Sequence, residues 1–292
     1  MRESTPNPGS WTKVVRTSAS GSIAGFGRVC MICEQPGHKR GRRRFAFARE
    51  MVKGAAMEPL EYALMDEAES HMWWYRALHA RLLHALDGIS GPVLDAGCGT
   101  GGFLAALRER WPDLKLFGVE WAGIAAARAM AKSGVAIVRG SVNALPFADS
   151  SFAAAVSADV LCHMAVQPQA ALAELRRVLR PGGRLVVNMP AFAWLMSGHD
   201  RQVHTVLRVN AGEMRAMLAQ TGFGKIRARY WNGLLLPLMV ARRKLPTRHA
   251  RSDVAPFSPW LDATLYAVTE IERRLPFRMP AGGSVFATAI RL

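Results

Sequence analysis

Beyond residue 91, short apolar runs alternate with amphipathic stretches along the whole chain. The apolar runs predict strands over 93–95, 116–120, 136–138, 154–157 and 184–189, and apolar residues at helical spacing predict helices over 102–110, 123–131 and 168–179 between them. Strand and helix in this succession specify a parallel sheet, because parallel partners need a long crossover and the crossover helices cover both faces. After Asn210 the pattern predicts a helix over 213–221, a strand over 225–231, a helix over 261–274 and a closing strand over 285–291. The expected fold is α/β: a doubly wound, mostly parallel seven-stranded sheet with helices on both faces.

Upstream the periodicity fades. Leu60, Ala63, Leu64 and Ala68 recur at helical spacing, and a second helix is expected over 72–86. Residues 1–56 are rich in Ser, Gly, Pro and Arg and show no sustained period, so they are expected to be a disordered basic tail, with one folded domain over 57–292. Met51 and Met57 each suit the start of the folded part.

Charge sharpens this division. The net charge is +16; residues 1–56 hold eleven Lys or Arg against three acids, and the rest of the chain holds 27 against 19. Such a balance draws a protein toward anionic partners without choosing among nucleic acid, phospholipid and phosphorylated carriers. Four cysteines, Cys30, Cys33, Cys98 and Cys162, are too few and too scattered for a disulfide scaffold, which fits a reducing cytoplasm. Glycines and Arg28 interrupt the N-terminal apolar residues, so no secretory signal is read there, and the longest other apolar stretch, 234–241, contains Pro237 and is too short to span a bilayer.

The densest chemistry lies at VLDAGCGTG (93–101), where a strand runs into glycines at alternate positions and then into a helix. Glycine lets a ligand approach the backbone, and the helix N-terminus beyond offers unpaired amides. Gly97, Gly99 and Gly102 alone would also satisfy a dinucleotide fingerprint. Asp95 separates the two readings: a carboxylate there opposes a pyrophosphate but suits the cationic aminocarboxypropyl and sulfonium end of S-adenosyl-L-methionine. Glu120 ends the second strand at the same sheet edge, where an acid can accept hydrogen bonds from ribose hydroxyls.

With FGVEWA (117–122), GSVNALPFADSSF (140–152) and LRRVLRPGGRLVV (175–187), the glycine loop resembles the ordered motifs of the class I S-adenosylmethionine-dependent methyltransferases, which are Rossmann-like. The resemblance implies a cofactor site formed by Asp95, Gly97, Cys98, Gly99 and Gly101 at the methionine end, Glu120 with Trp121 at the ribose, and Ser141 with Val142 at the adenine rim. Ser141 departs from the Asp of many relatives; its hydroxyl can accept a hydrogen bond but carries no charge. The segments at 69–83, around Ser197 and at 279–291 resemble a bacterial subgroup associated with cell-surface glycan or lipid-linked sugar assembly. That resemblance implies a small-molecule, glycan or lipid-linked acceptor.

Methyl transfer needs alignment above all, and a base only where the acceptor carries a proton. Asp159 and His163 follow the fourth strand and are the candidate catalytic groups, His163 being equally compatible with a packed ring above the cofactor. His199, Asp200 and His204 lie in a long segment after the fifth strand and are candidate substrate-binding residues; pairing of Asp200 with Arg201 is the competing reading. Trp73, Trp74 and Tyr75 either cap the cleft or pack.

Cys30, Cys33 and His38 have the spacing of a zinc knuckle, but Arg43 stands where a fourth ligand is needed, so no metal is expected. A nucleic-acid-binding protein or a non-catalytic methyltransferase fold are the alternative functions, the first resting on the tail alone. The run WNGLLLPLMVARRK (231–244) places an apolar stretch beside Arg242, Arg243 and Lys244, and either sits at a membrane surface or ends a core strand in a solvated basic turn. The expected setting is therefore cytoplasmic with a peripheral membrane contact, and nucleic acid is not an expected partner.

Overall fold

A computed structural model describes residues 59–244 and 257–292. The expected tail and its Cys30, Cys33 and His38 lie outside the described residues. Two helices, α1 (Pro59–Ala68) and α2 (Trp73–Leu86), precede the alternation β1 (Val93–Ala96), α3 (Gly102–Arg110), β2 (Leu116–Glu120), α4 (Gly123–Ser133), β3 (Ile137–Arg139), β4 (Phe152–Ala158), α5 (Pro168–Val178) and β5 (Leu179–Pro190). A short α6 (Gly198–Gln202) follows, then α7 (Ala211–Gln220), β6 (Phe223–Trp231), α8 (Leu236–Lys244), α9 (Pro259–Arg274) and β7 (Ser284–Arg291).

The seven strands form one sheet in the order β3-β2-β1-β4-β5-β7-β6. β1 pairs in parallel with both β2 and β4, and only β7 runs antiparallel, inserted between β5 and β6. The mostly parallel seven-stranded expectation holds. Because the chain reverses its winding at β1, loops from β1 and β4 diverge there and leave a crevice at the carboxyl edge, the place where open α/β sheets bind ligands.

Both faces of the sheet are buried, which is why its strands read as nearly continuous apolar runs. Leu94, Ala155, Leu185 and Val187 face one layer with Leu172, Leu175, Met214 and Leu218; Val93, Ala154, Val156 and Val186 face the other with Leu82, Leu86, Leu104 and Leu107. Helix ends follow local chemistry. α4 stops at Gly134 in a left-handed conformation, α5 starts on Pro168, and α7 opens with a capping box in which Asn210 and Glu213 exchange hydrogen bonds.

Two departures matter. The helix expected over 168–179 yields at Leu179, which pairs with Phe152; the ladder then skips the turn at Pro181, Gly182 and Gly183 before resuming at Arg184. The apolar run of 231–244 holds a helix, α8, because Pro237 falls in its first turn, where a missing amide hydrogen costs nothing. Its position is fixed by α9: the buried Glu272 carboxylate accepts from the backbone amides of Asn232, Gly233 and Leu234 at 2.6–3.0 Å. Among the described residues no helix is long and apolar enough to cross a membrane.

Candidate active site

A cavity of about 1300 Å³ runs along the carboxyl edge of the sheet. It is larger than the roughly 300–1,000 Å³ typical of single-ligand pockets, leaving room for a second molecule beside a cofactor. Asp95, Gly97, Cys98, Gly99, Glu120, Trp121, Ser141 and Val142 line one half, and Asp159, His163 and Asp200 line the region beyond β4.

Asp95 stands one residue before the end of β1 at the cavity wall, and its carboxyl accepts no hydrogen bond among the described residues. Burial, helped by the charges of Glu120 and Glu69, pushes it up to about 8. Gly97 follows with φ +87°, and a Cβ there would lie 2.4 Å from Val160 Cγ2, so only glycine lets the loop pass beneath the β4 loop. The loop is braced from Glu120: one carboxylate oxygen accepts from the Gly99 amide at 3.0 Å, the other from Ala122 at 2.8 Å. Burial raises the Glu120 carboxyl while these amides work to lower it. Each oxygen keeps a further lone pair free to accept.

Gly101 belongs elsewhere. A Cβ on it would sit 2.6 Å from Ala129 Cα, so this glycine permits close packing of α3 on α4 and does not reach the cavity wall. Cys98 lines the cavity as a packing thiol, pushed up by burial and by the neighbouring carboxylates.

α1 roofs the glycine loop. Tyr62 packs with Ala122 and Ala125, with Met65 beside them, and an ion network ties the helix down. Asp66 pairs with Arg128 at 2.7 Å and Lys132 at 2.6 Å; Lys132 also grips the buried Glu69, which accepts from Thr100 Oγ1 at 2.8 Å.

At the β4 end, Asp159 adopts φ +54°, a left-handed conformation that turns its side chain to the cavity. Asn188 Nδ2 lies 3.0 and 2.8 Å from its two carboxylate oxygens, and Asn188 Oδ1 accepts from Trp231 Nε1 at 2.8 Å. Burial raises the Asp159 carboxyl to about 6, against the pull of Asn188 and of Arg208. His163 places Nδ1 2.9 Å from the Val203 carbonyl. A carbonyl only accepts, so that nitrogen carries the proton and Nε2 holds the lone pair in the neutral ring. Burial lowers the His163 pKa, keeping the ring neutral near pH 7.

The three candidate substrate-binding residues separate. Asp200 is buried and committed: Oδ1 accepts from Arg208 Nη2 at 2.7 Å and Nε at 3.2 Å, and Oδ2 accepts from Ser197 N and Oγ, each at 2.7 Å. Its partner is Arg208, with Arg201 left exposed. His204, at φ +55°, does not line the cavity; its carbonyl accepts from Met164 N. His199 lies in α6 with its side chain outside the described residues. Residues given no binding role by the pattern also line the cavity: Asn143, inside the 140–152 motif, His79, and Arg208, in the charged cluster after the fifth strand. His79 is held neutral, its pKa lowered to about 4 by burial and by Lys132. His79 carries no sequence signal, since helix periodicity assigns it only to a face. Among the described residues no cluster of three or more His, Cys, Asp or Glu could hold a metal ion.

The strand order, the glycine loop and the acid on β2 define a class I methyltransferase fold. Residues 94–187 match the family model described as a methyltransferase domain. Similar sequences include a malonyl-[acyl-carrier protein] O-methyltransferase of Herminiimonas arsenicoxydans, 39% identical over 41% of this chain and 43% of that one. A ubiquinone/menaquinone biosynthesis C-methyltransferase of Syntrophotalea carbinolica is 28% identical over 54% and 78%. Among solved structures, a SAM-dependent methyltransferase of Thermotoga maritima, titled a possible histamine N-methyltransferase, superposes with TM-score 0.51 at 19% identity, covering 85% of this chain and 99% of that one. The chain spans about half the length of most of the first curated relatives it matches. These matches bear out the resemblance to class I S-adenosylmethionine-dependent methyltransferases and, with it, the cofactor of that class.

Proposed function

We propose that this chain transfers the methyl group of S-adenosyl-L-methionine to a small-molecule or lipid-linked acceptor whose attacking atom gives up a proton at Asp159. The observation that carries the reading is Asp95, a buried carboxylate facing the cavity without a donor among the described residues. An acid so placed is satisfied by a cation and opposed by a pyrophosphate, which favours the ammonium and sulfonium of this cofactor over a nicotinamide dinucleotide. The bound sulfonium supplies an electrophilic methyl group.

The chain's own groups do the rest. Gly97 and Gly99 let the loop lie close to the methionine portion, Glu120 takes the ribose hydroxyls, and Trp121, Ser141 and Val142 line the adenine side. Asp159 stands across the crevice at the end of the adjacent strand, where an acceptor would meet the methyl group. A carboxyl at about 6 is largely ionised at pH 7 yet basic enough to accept a proton from a hydroxyl or an activated carbon. His163 holds the 191–210 segment in place through Val203 and keeps Nε2 as a second acceptor. The relatives' names, spanning O- and C-methyl transfer, are in keeping with such an acceptor.

Calorimetry of the full chain tests the reading. S-adenosylhomocysteine should bind and NAD should not, and NAD binding with no response to either sulfur nucleoside overturns it. Labelled cofactor with fractionated cell extract then reports the acceptor class.

A further inference from the structure

The cavity does not stop at the catalytic strand. Beyond Asp159 it continues past Pro190 at the end of β5 and Ser284 at the start of β7 to Asn232 after β6, then to Met239 and Arg242 on α8. Pro190 and Trp231 both pair with Ser284, so these strand ends stand side by side. From β4 to β6 is three strand spacings, about 14 Å at the usual ~4.8 Å. That is about a dozen bonds of an extended chain at roughly 1.2 Å per bond. A methyl-accepting head occupies only the first few ångströms of such a length.

Much of the wall of this extension is apolar. Met72, at the N-cap of α2, and Trp73 in its first turn cluster with Leu235 and Leu265, Phe257 packs on the same group, and Met239 closes the far side. Trp74 stacks on Trp231, 6.1 Å between ring centroids, and stiffens the floor. Two buried polar atoms in the lining residues, Trp73 Nε1 and Asn232 Oδ1, have no hydrogen-bond partner among the described residues. At the outer end the apolar character reaches the surface: Leu238 on α8 and Trp260 on α9 are 56% and 71% exposed. Beside them Arg242 lies 5.7 Å over the Phe257 ring.

We propose that this extension is a binding site for the apolar chain of an elongated amphiphilic acceptor, with the reactive head at Asp159 and the chain running along β5, β7 and β6 to α8. The inference rests on the methyl-transfer reading for its head group, and on the strand-edge geometry for its chain. It excludes a compact metabolite as the acceptor that fills the site. Arg242 lines the far end and makes no ion pair among the described residues, so an anionic group on the distal part of the chain, or on a lipid surface around it, meets its guanidinium there.

The probe is a homologous series of n-alkyl 4-hydroxybenzoates from methyl to dodecyl, read by tryptophan fluorescence of the full chain with and without S-adenosylhomocysteine. Each added methylene buried in the extension should tighten binding about three- to fourfold, the gain from roughly 0.8 kcal/mol per CH₂, until the chain fills the available length. Met239→Glu should flatten this dependence while S-adenosylhomocysteine still binds; Phe257→Ser is the second variant should the first fail to fold. Affinity independent of chain length, with S-adenosylhomocysteine bound normally, overturns the proposal and leaves the methyltransferase reading standing. Length dependence without any S-adenosylhomocysteine binding does the reverse. The dodecyl ester bound as a monomer identifies a free amphiphile; binding only when it is presented in phosphatidylglycerol vesicles identifies a membrane lipid.

Discussion

Asn188 and Asp159 face each other across neighbouring strands, one amide nitrogen spanning both carboxylate oxygens at 3.0 and 2.8 Å. The bond favours the ionised acid, opposing the burial that lifts it to about 6. A base must be ionised to work, so turnover should climb as pH rises through about 6 and level off above. Asp159→Asn should lower kcat by about 10²–10⁴ and abolish that limb. Asn188→Ala removes a donor to the charged form and should move the limb to higher pH. A pH–rate profile unchanged in Asn188→Ala would assign Asn188 to Trp231 alone.

The Asp200–Arg208 pair is structural in this geometry. Both side chains are almost fully buried, at 5% and 3% exposure, and Arg208 Nη1 also donates to the Ala191 carbonyl, so the pair ties α6 to the strand end. Burial works to raise the Asp200 carboxyl, but Arg208 and Ser197 hold it below 3.8. Its stabilisation is therefore present above the unfolded pKa and lost as pH falls through the folded one. Asp200→Ala leaves a buried guanidinium unpaired and should cost about 3–5 kcal/mol in denaturant unfolding. Arg201→Ala should cost little; a larger loss at Arg201 than at Asp200 would reverse the assignment.

How much of this was legible in the sequence depends on whether a feature is periodic. The bounds of β2 and α3 match the pattern residue for residue, because apolar runs and helical spacing are local consequences of burial on two faces. Asp95 and Glu120 were legible because they sit beside glycines and at a strand end. The Asp200–Arg208 pair was not: its members come together only because the chain doubles back, with Thr205 N donating to the Asp200 carbonyl. Nor can alternate glycines tell a ligand cradle from a helix contact. Gly97 and Gly101 look alike in VLDAGCGTG, and only the packing of α4 separates them.

That difference is measurable. Gly101 has φ +88° and would drive a Cβ into the backbone of Ala129, so Gly101→Ala combines conformational strain with overpacking. Unfolding should show a loss of about 2–4 kcal/mol. A Cβ on Gly99, itself at φ +53°, adds backbone strain of about 1–2 kcal/mol but meets only the flexible end of Met65, at 3.0 Å, so it lacks the overpacking of Gly101. Gly99→Ala should therefore weaken S-adenosylhomocysteine binding more than it lowers stability. Equal stability losses in the two variants would contradict the division of roles.

Asp95 links cofactor to stability. Its folded pKa stands at about 8, far above 3.8, chiefly through burial. Between those values the folded chain holds a proton that the unfolded chain has released, so stability without cofactor should fall as pH rises from about 4 to about 8. Asp95→Asn cannot ionise and should remove most of this slope, making the variant the more stable protein at pH 8 by on the order of 2–5 kcal/mol. A cationic ligand reverses the balance, because it favours the ionised acid. Binding of S-adenosyl-L-methionine to wild type at pH 7 should release up to about one proton, visible as a dependence of the calorimetric enthalpy on buffer when phosphate and Tris are compared. Asp95→Asn should bind more weakly and show little such dependence. If the variant is less stable than wild type at pH 8, and wild-type binding releases no proton, the Asp95 carboxylate is not the group that meets the cation.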